Sequence, residues 1–454
     1  MNRHLLAAPV AILGIVLGGC VSERERTART AWDSLYSSFD PPEAEPAPIT
    51  SESALEDYVR LALRRNPRFK AQAQRWSADL ERVPQAWAFP NPRVSYGGFL
   101  EPVETRIGPQ RHTVSASQRV PWPGKLSAAS EVALEQAGVS EAQTETMRLR
   151  VVAEVTRAYA NYWELGREVA ITRDTLALVQ HWESVAQIRL QAGGTSAHRD
   201  VIKAQVEIGR LEDRLASLND ARRMRIQRLL ALLDLPQNAS LPWPSTLPGR
   251  SLALDNNEVL QHLSQHSPFL AELDRKVDTQ ERAVARAKQA YFPDFMVGLT
   301  HINVGHARAS GVSNSGDDAW IVNLGVDLPV WIGRYAAGVS EAEARLRAAE
   351  LDREAADDTL AADVTDALFD YRDAERKLIL YRDSLVPKAE ESLQVTASAY
   401  ESGESDFLNV LDAERVLLDF HLARERALAN RITALAELEL LTGTQLAPRS
   451  SREE

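Results

Sequence analysis

Two hydrophobic periods alternate along this chain. Apolar residues recur every three or four positions through Val339, Ala342, Leu346, Ala349, Ala356, Leu360, Val364, Ala367, Tyr371, Ala374, Leu378, Tyr381 and Leu385, with Arg353 the one polar interruption. That spacing predicts a helix carrying a coiled-coil seam. A period of two replaces it in Arg93–Phe99, His112–Ser117, Phe295–Ile302 and Trp320–Asp327, which predicts two pairs of half-buried strands. Prolines bracket the first pair, and a Gly-, Ser-, Asn- and Asp-rich loop around residues 305 to 318 joins the second. After each pair comes a helical stretch, about 126 to 190 and about 337 to 402, long enough to reach roughly 100 Å at 1.5 Å per residue. Pro387 should interrupt or kink the second stretch, whereas the first has Leu178 at that position.

The second half repeats the first at an offset that grows from about 201 to about 209 residues, so the chain is a tandem duplication. Asn66-Pro67 corresponds to Ser267-Pro268, Phe89-Pro90 to Phe292-Pro293, and Val120-Pro121-Trp122-Pro123-Gly124-Lys125 to the segment from Leu328 to Arg334. Further on, Tyr162 matches Tyr371, Gly194 matches Gly403, and Asp200-Val201-Ile202 lies over Asn409-Val410-Leu411. Each half reads as helix, two strands, a very long helix, a Gly-containing turn and another helix. The repeats are placed at 51–245 and 246–445, with a short polar tail at 446–454. Ser53 and Glu56 have capping-box spacing at the start of the first.

The N-terminus is an export signal: Met1 to His4 is positive, Leu5 to Gly19 is apolar, and Leu17-Gly18-Gly19-Cys20 closes it. About 15 apolar residues are too few to span a bilayer. The ending resembles a bacterial lipoprotein box, which implies cleavage after residue 19 and acylation of Cys20; a free thiol after an ordinary signal peptide is the other reading. Val21 stands where an inner-membrane retention signal usually has Asp. Residues 20–50, with prolines at 41, 42, 46 and 48, read as an extended tether behind the anchor. With 52 Lys plus Arg against 64 Asp plus Glu, the net charge of -12 offers no footprint for nucleic acid. One cysteine excludes a disulfide framework and a cysteine zinc cluster.

No later stretch approaches the roughly 20 apolar residues of a membrane helix, so a mature chain that enters a membrane must do so as strands. Four strands cannot close a barrel, and hydrocarbon does not tolerate an open sheet edge. Three copies would supply twelve strands and wrap twelve long helical segments into a tube below.

At this point the residues resemble a family, the TolC-like outer-membrane factors, which form the exit ducts of tripartite efflux pumps and type I secretion systems. The resemblance covers about residues 50 to 445. It is carried by the duplication, Asn66-Pro67, Phe89-Pro90-Asn91-Pro92, the strand exit from Gln118 to Lys125, and Tyr400-Glu401-Ser402-Gly403 leading into Asn409-Val410-Leu411-Asp412-Ala413-Glu414. It implies a mainly α fold with a membrane β-barrel portion, a homotrimer, and a lipid-anchored place in the outer membrane with a long periplasmic extension. It also implies a periplasmic adaptor and an inner-membrane pump of RND type as partners. The lipoprotein box and Pro-Trp-Pro-Gly-Lys look more like the efflux branch, particularly heavy-metal exporters. A type I secretion duct and a periplasmic coiled-coil adaptor or structural lipoprotein are the alternatives, although the last would not need two strand pairs.

No HExxH, GxSxG, P-loop or GxGxxG is present, so neither catalysis nor a cofactor is expected. His262 and His266 have helical i, i+4 spacing, and His301 and His306 flank the second strand loop; two imidazoles without a third ligand read as surface residues. In the family, the positions matching Asn409 and Asp412 carry aspartates that line a narrow periplasmic entrance. Here Asp412 is kept and Asn409 is not, while Asp200 and Lys203 stand at the matching first-half positions. With Asp406, Glu401 and Glu404 beside the turn at Gly403, threefold repetition would make an acidic constriction that Lys203 partly compensates. The alternative is that these acids merely solvate a helical turn.

Overall fold

The computed structural model describes residues 22–39, 49–192 and 197–446. The signal peptide, Cys20, the prolines at 41–48, Gly194 and the tail beyond Leu446 lie outside the described residues. In chain order the elements are α1 (Glu23–Ser37), α2 (Leu55–Arg65), α3 (Pro67–Leu80), α4 (Arg82–Trp87), β1 (Arg93–Thr105), β2 (Gly108–Val120), α5 (Pro123–Gln191) and α6 (Ala197–Leu233). The second half supplies α7 (Asn256–His266), α8 (Pro268–Gln289), β3 (Asp294–Val304), β4 (Ala319–Asp327), α9 (Ile332–Leu380), α10 (Val386–Ser402) and α11 (Phe407–Thr442). The duplicated order expected from sequence is therefore present.

Two local expectations are corrected, and a third takes a specific form. Residues 23–37 are helical, not an extended tether: the Ser22 hydroxyl accepts from the Glu25 amide at 3.1 Å, and Arg29 bonds Glu25 one turn earlier at 3.0 Å. The cap of α2 is Ala54, not Ser53, because the Asp57 carboxylate reaches back to the Ala54 amide at 3.0 Å. Ser53 instead closes a preceding turn by accepting from the Thr50 amide. At the equivalent point of the second half, Asp255 and Glu258 form a reciprocal capping box, with bonds of 2.8 and 2.7 Å. The interruption expected at Pro387 takes the form of a π-turn at Tyr381–Leu385 just before it, where the Val386 amide donates to the Tyr381 carbonyl and the helix then continues. A proline has no amide to donate and its ring crowds the carbonyl four residues back, so the extra residue relieves both problems one turn upstream.

The chain divides into two units, each drawing on both halves of the duplication. The first comprises residues up to Ser34, Gln74–Glu141 and Glu272–Glu354, and contains the strands. They form one antiparallel sheet in the order β1-β2-β3-β4, with β2 pairing β3 although a whole helical segment separates them in sequence. Pro102 is accommodated where the β1–β2 register shifts between Gly98 and Val103. In the same unit α1 is fastened by Arg24 to the buried Glu135 of α5 at 2.7 Å and by Arg29 to Glu81 at 2.6 Å.

The second unit, Leu35–Ala73, Ala142–Ala271 and the chain from Ala355 onward, is helical. Its cores repeat the duplication. In one, Tyr58, Leu61, Val155, Tyr159, Tyr162 and Leu229 pack together; in the other, Val259, Leu263, Val364, Tyr371, Leu435 and Leu438 do so. The paired tyrosines keep one task in both. Tyr162 donates its hydroxyl to the Leu241 carbonyl at 3.0 Å, and Tyr371 accepts from the Leu252 amide at 2.7 Å, so each holds the connecting segment against its helices.

Candidate membrane sheet and periplasmic entrance

Side chains on successive strand residues point to opposite faces, so the register sorts the sheet into two surfaces. One carries the rows Val94, Ala116, Leu299, Val322 and Tyr96, Val114, His301, Trp320, together with Val297 opposite Leu324. The other carries Ser95, Ser115, Thr300, Ile321 and Arg93, Ser117, Gly298, Asn323. On the polar face Asn323 donates to Thr300 at 2.9 Å and Thr300 to Ser115 at 3.1 Å, a ladder of side-chain bonds running across three strands. Among the described residues little covers the apolar face: Val322 is 69% and Leu324 78% exposed. An exposed apolar face of this kind opposite a polar one is the pattern of a strand set with lipid outside and water inside. Among the described residues no helix is long and apolar enough to cross a membrane.

The lower end of the sheet is tied by one carboxylate. Asp294, at the start of β3, accepts from Arg119 at 2.8 Å, from the Lys125 ammonium at 2.7 Å and from the Trp122 amide at 3.1 Å. Beside it the Trp122 and Phe292 rings stack 5.0 Å apart. The Val120–Lys125 motif singled out in the sequence is thus a strand-to-helix junction, with Lys125 and the Trp122 amide turned onto the next strand.

The helical unit ends in a turn between α10 and α11. Gly403 caps α10 in the left-handed conformation (φ 85°), which other residues adopt only at a cost, and its amide returns to the Ala399 and Tyr400 carbonyls. Asp406 caps α11 by accepting from the Leu408 amide at 3.1 Å. That bond, helped by Lys203 at 3.8 Å and Arg199, holds its carboxyl below the ordinary aspartate range. Asn409 donates to Ser405 at 3.0 Å. Asp412 is solvent-exposed and lies 3.5 Å from Arg415. Asp200 is buried and takes the Tyr400 hydroxyl at 3.4 Å. Burial pushes its acid range up, as does Asp406 nearby, against the opposing pull of Lys203, Tyr400 and Arg199.

Residues not singled out as site residues from the sequence complete this turn. Arg189 donates to the Tyr400 and Glu401 carbonyls and lays its guanidinium 4.2 Å from the Tyr400 ring centre. Glu207, buried on α6, takes Arg210 at 2.9 Å and Arg415 at 2.7 Å; together they hold its carboxyl below the ordinary range although burial alone would raise it. Among the described residues no three of His, Cys, Asp or Glu converge as metal ligands. The His262 and His266 rings lie 5.6 Å apart, and His301 bonds Asp318 at 2.9 Å.

The model of the outer membrane efflux protein family matches residues 58–235 and again 259–444, one stretch in each half. The chain is 27% identical over 325 residues to outer membrane protein OprJ of Pseudomonas aeruginosa, a match covering 69% of this chain and 66% of that protein, just under two thirds of its length. It is 23% identical over 412 residues to the cobalt-zinc-cadmium resistance protein CzcC of Cupriavidus metallidurans, covering 88% of this chain and 92% of that one. Among solved structures, a membrane protein from Pseudomonas aeruginosa superposes with a TM-score of 0.72 at 22% identity, over 87% of this chain and 91% of that one. Matched in both halves, the chain belongs to the outer membrane efflux protein family and is the outer-membrane channel of an efflux system, a conduit and not an enzyme.

Proposed function

We propose that three copies join their sheets edge to edge into one twelve-stranded barrel, and that the channel so formed is the passive exit duct of a tripartite pump. The observation that carries this reading is the sheet itself. It has four strands, an edge at β1 and another at β4 within the chain, and an apolar face left uncovered. A bilayer accepts such a sheet only when its edges are paired, and further copies of the same sheet provide the pairing. Energy then comes from an inner-membrane pump, for which an RND type is proposed, through a periplasmic adaptor. Cys20 carries the lipid anchor, a second attachment beside the barrel, and the turns near Gly194 and Gly403 form the periplasmic entrance, with Asp412 as its acidic residue.

For cargo we propose metal cations or small toxic compounds; the relative named for cobalt, zinc and cadmium resistance supports the former. Deleting the gene from its native host and measuring growth on cobalt, zinc and cadmium salts and on organic dyes tests the reading. Sensitivity of the deletion strain, reversed by the intact gene, is expected, and its pattern assigns the cargo; a deletion strain with unchanged tolerance to every compound would overturn it. Mass spectrometry of the purified N-terminus should find an acylated Cys20, and a mature chain beginning elsewhere would refute the anchor.

A further inference from the structure

Four carboxylates are buried in the part of the helical unit that leads to the turn: Asp200, Glu207, Glu414 and Glu425. Two have arginine partners and a third a tyrosine hydroxyl. Glu207 has Arg210 and Arg415, Glu425 has Arg424 at 2.6 Å and Arg167 at 3.7 Å, and Asp200 has the Tyr400 hydroxyl. Glu414 has none of these. It is 3% exposed, no ion pair reaches it among the described residues, and its Oε2 lacks any hydrogen-bond partner. An ionised carboxylate in that position is costly, because burial strips its hydration and, among the described residues, no ion pair compensates it.

The surroundings of Glu414 come from each neighbouring helix. Thr175 of α5 bonds the carboxyl through its hydroxyl. From α6 comes Glu207, with Arg210 on the same helix. On α11 itself Arg415 bridges Glu207 at 2.7 Å and Asp412 at 3.5 Å. Helix α10 packs here through Leu393, Ala397 and Tyr400; its Glu390 faces His421, two turns beyond, at 3.7 Å. Burial pushes the Glu414 carboxyl up to about 7, Thr175 opposes this, and Glu207 adds to it.

We propose that Glu414 is a proton-operated latch for the periplasmic entrance: protonated, it lets α11 pack against α5 and α6, and ionised, it loosens the turn that presents Asp412. The inference rests on the entrance reading given above. Arg415 supplies the coupling, since a second anion beside Glu207 draws on the one guanidinium that also touches Asp412. The packed form holds its proton more tightly than a solvated glutamate with its pKa near 4.3. Packing is therefore most favoured below that value, weakens as pH rises toward about 7, and changes no further above it. Across that window the ratio of packed to loosened tips should fall by up to roughly 500-fold.

The full-length protein, reconstituted in planar bilayers, tests this between about pH 4 and about pH 8, a range that brackets that window. Wild-type conductance should rise several-fold with pH, while Glu414→Gln, neutral at every pH, should abolish the dependence. Infrared difference spectra should show one carboxylic acid band lost near neutrality in the wild type and absent from Glu414→Gln. Glu414→Leu guards against a folding failure of the amide: it should also flatten the pH response while raising Tm. A pH response that survives both substitutions, or a wild type whose infrared band does not titrate near neutrality, would overturn the latch. Asp412→Asn separates the two readings. Altered cation selectivity with a flat wild-type pH profile removes the latch and leaves the entrance, whereas unaltered selectivity removes the entrance.

Discussion

The two halves of the duplication solve one problem differently at one place. In the first, a single helix of 69 residues runs unbroken from Pro123 to Gln191. In the second, 49 helical residues are followed by a five-residue π-turn and another 17 helical residues before Gly403. The seam is retained through the interruption, since Tyr371, Ala374, Leu378, Val386, Ala389, Leu393 and Tyr400 are all buried. Side-chain periodicity therefore fixes which face packs, while a single residue without an amide decides whether the backbone ladder is uniform. The duplicated tyrosines give the complementary lesson, for they stay in register across the repeat and bond opposite kinds of backbone group, a carbonyl from Tyr162 and an amide to Tyr371.

Exchanging the critical residue between halves should expose the asymmetry most strongly. Leu178→Pro places a proline in a helix with no π-turn to receive it and should cost about 3 kcal/mol or more, read as a fall in thermal midpoint. Pro387→Ala should change stability by less than about 1 kcal/mol, because the π-turn already satisfies the ladder there. Equal losses from the two substitutions would show that the π-turn accommodates nothing.

A smaller contrast is expected from the tyrosines. Tyr371→Phe strands the buried Leu252 amide and should cost about 1–3 kcal/mol. Tyr162→Phe leaves the Leu241 carbonyl with Arg222 at 3.4 Å, so a loss nearer 1 kcal/mol is expected from the same melting measurement. Smaller again, Gly403→Ala meets no neighbouring atom but must hold a φ of 85°, which should cost about 1 kcal/mol.

How much of this was legible in the sequence depended on whether a feature is periodic. The strand pairs, the loop at 305–318 and the long helices follow from periods of two and of three to four, and the matching Asn66-Pro67 and Ser267-Pro268 marked the repeat. What escaped depends on single side chains. Helix α1 was hidden by reading its polar composition together with the prolines that follow it. Asp57 makes the reciprocal bond in place of Glu56 because it stands three residues after Ala54, as Glu258 does after Asp255. The burial of Asp200 under Tyr400 is not legible locally, because it depends on a residue 200 positions away. Glu414 did leave a signal: it continues the seam of Phe407, Leu411, Leu418 and Leu422, where a carboxylate breaks the apolar pattern, yet it was noticed only as part of a motif.

One chain supplies only part of a barrel wall. Native mass measurement of the detergent-extracted protein, followed by conductance recording on the same preparation, tests it most directly. Three chains per particle and channels formed only by that particle are the result the account predicts. A stable monomer that conducts ions would contradict it, because a four-stranded sheet with two open edges could not be the wall of its pore.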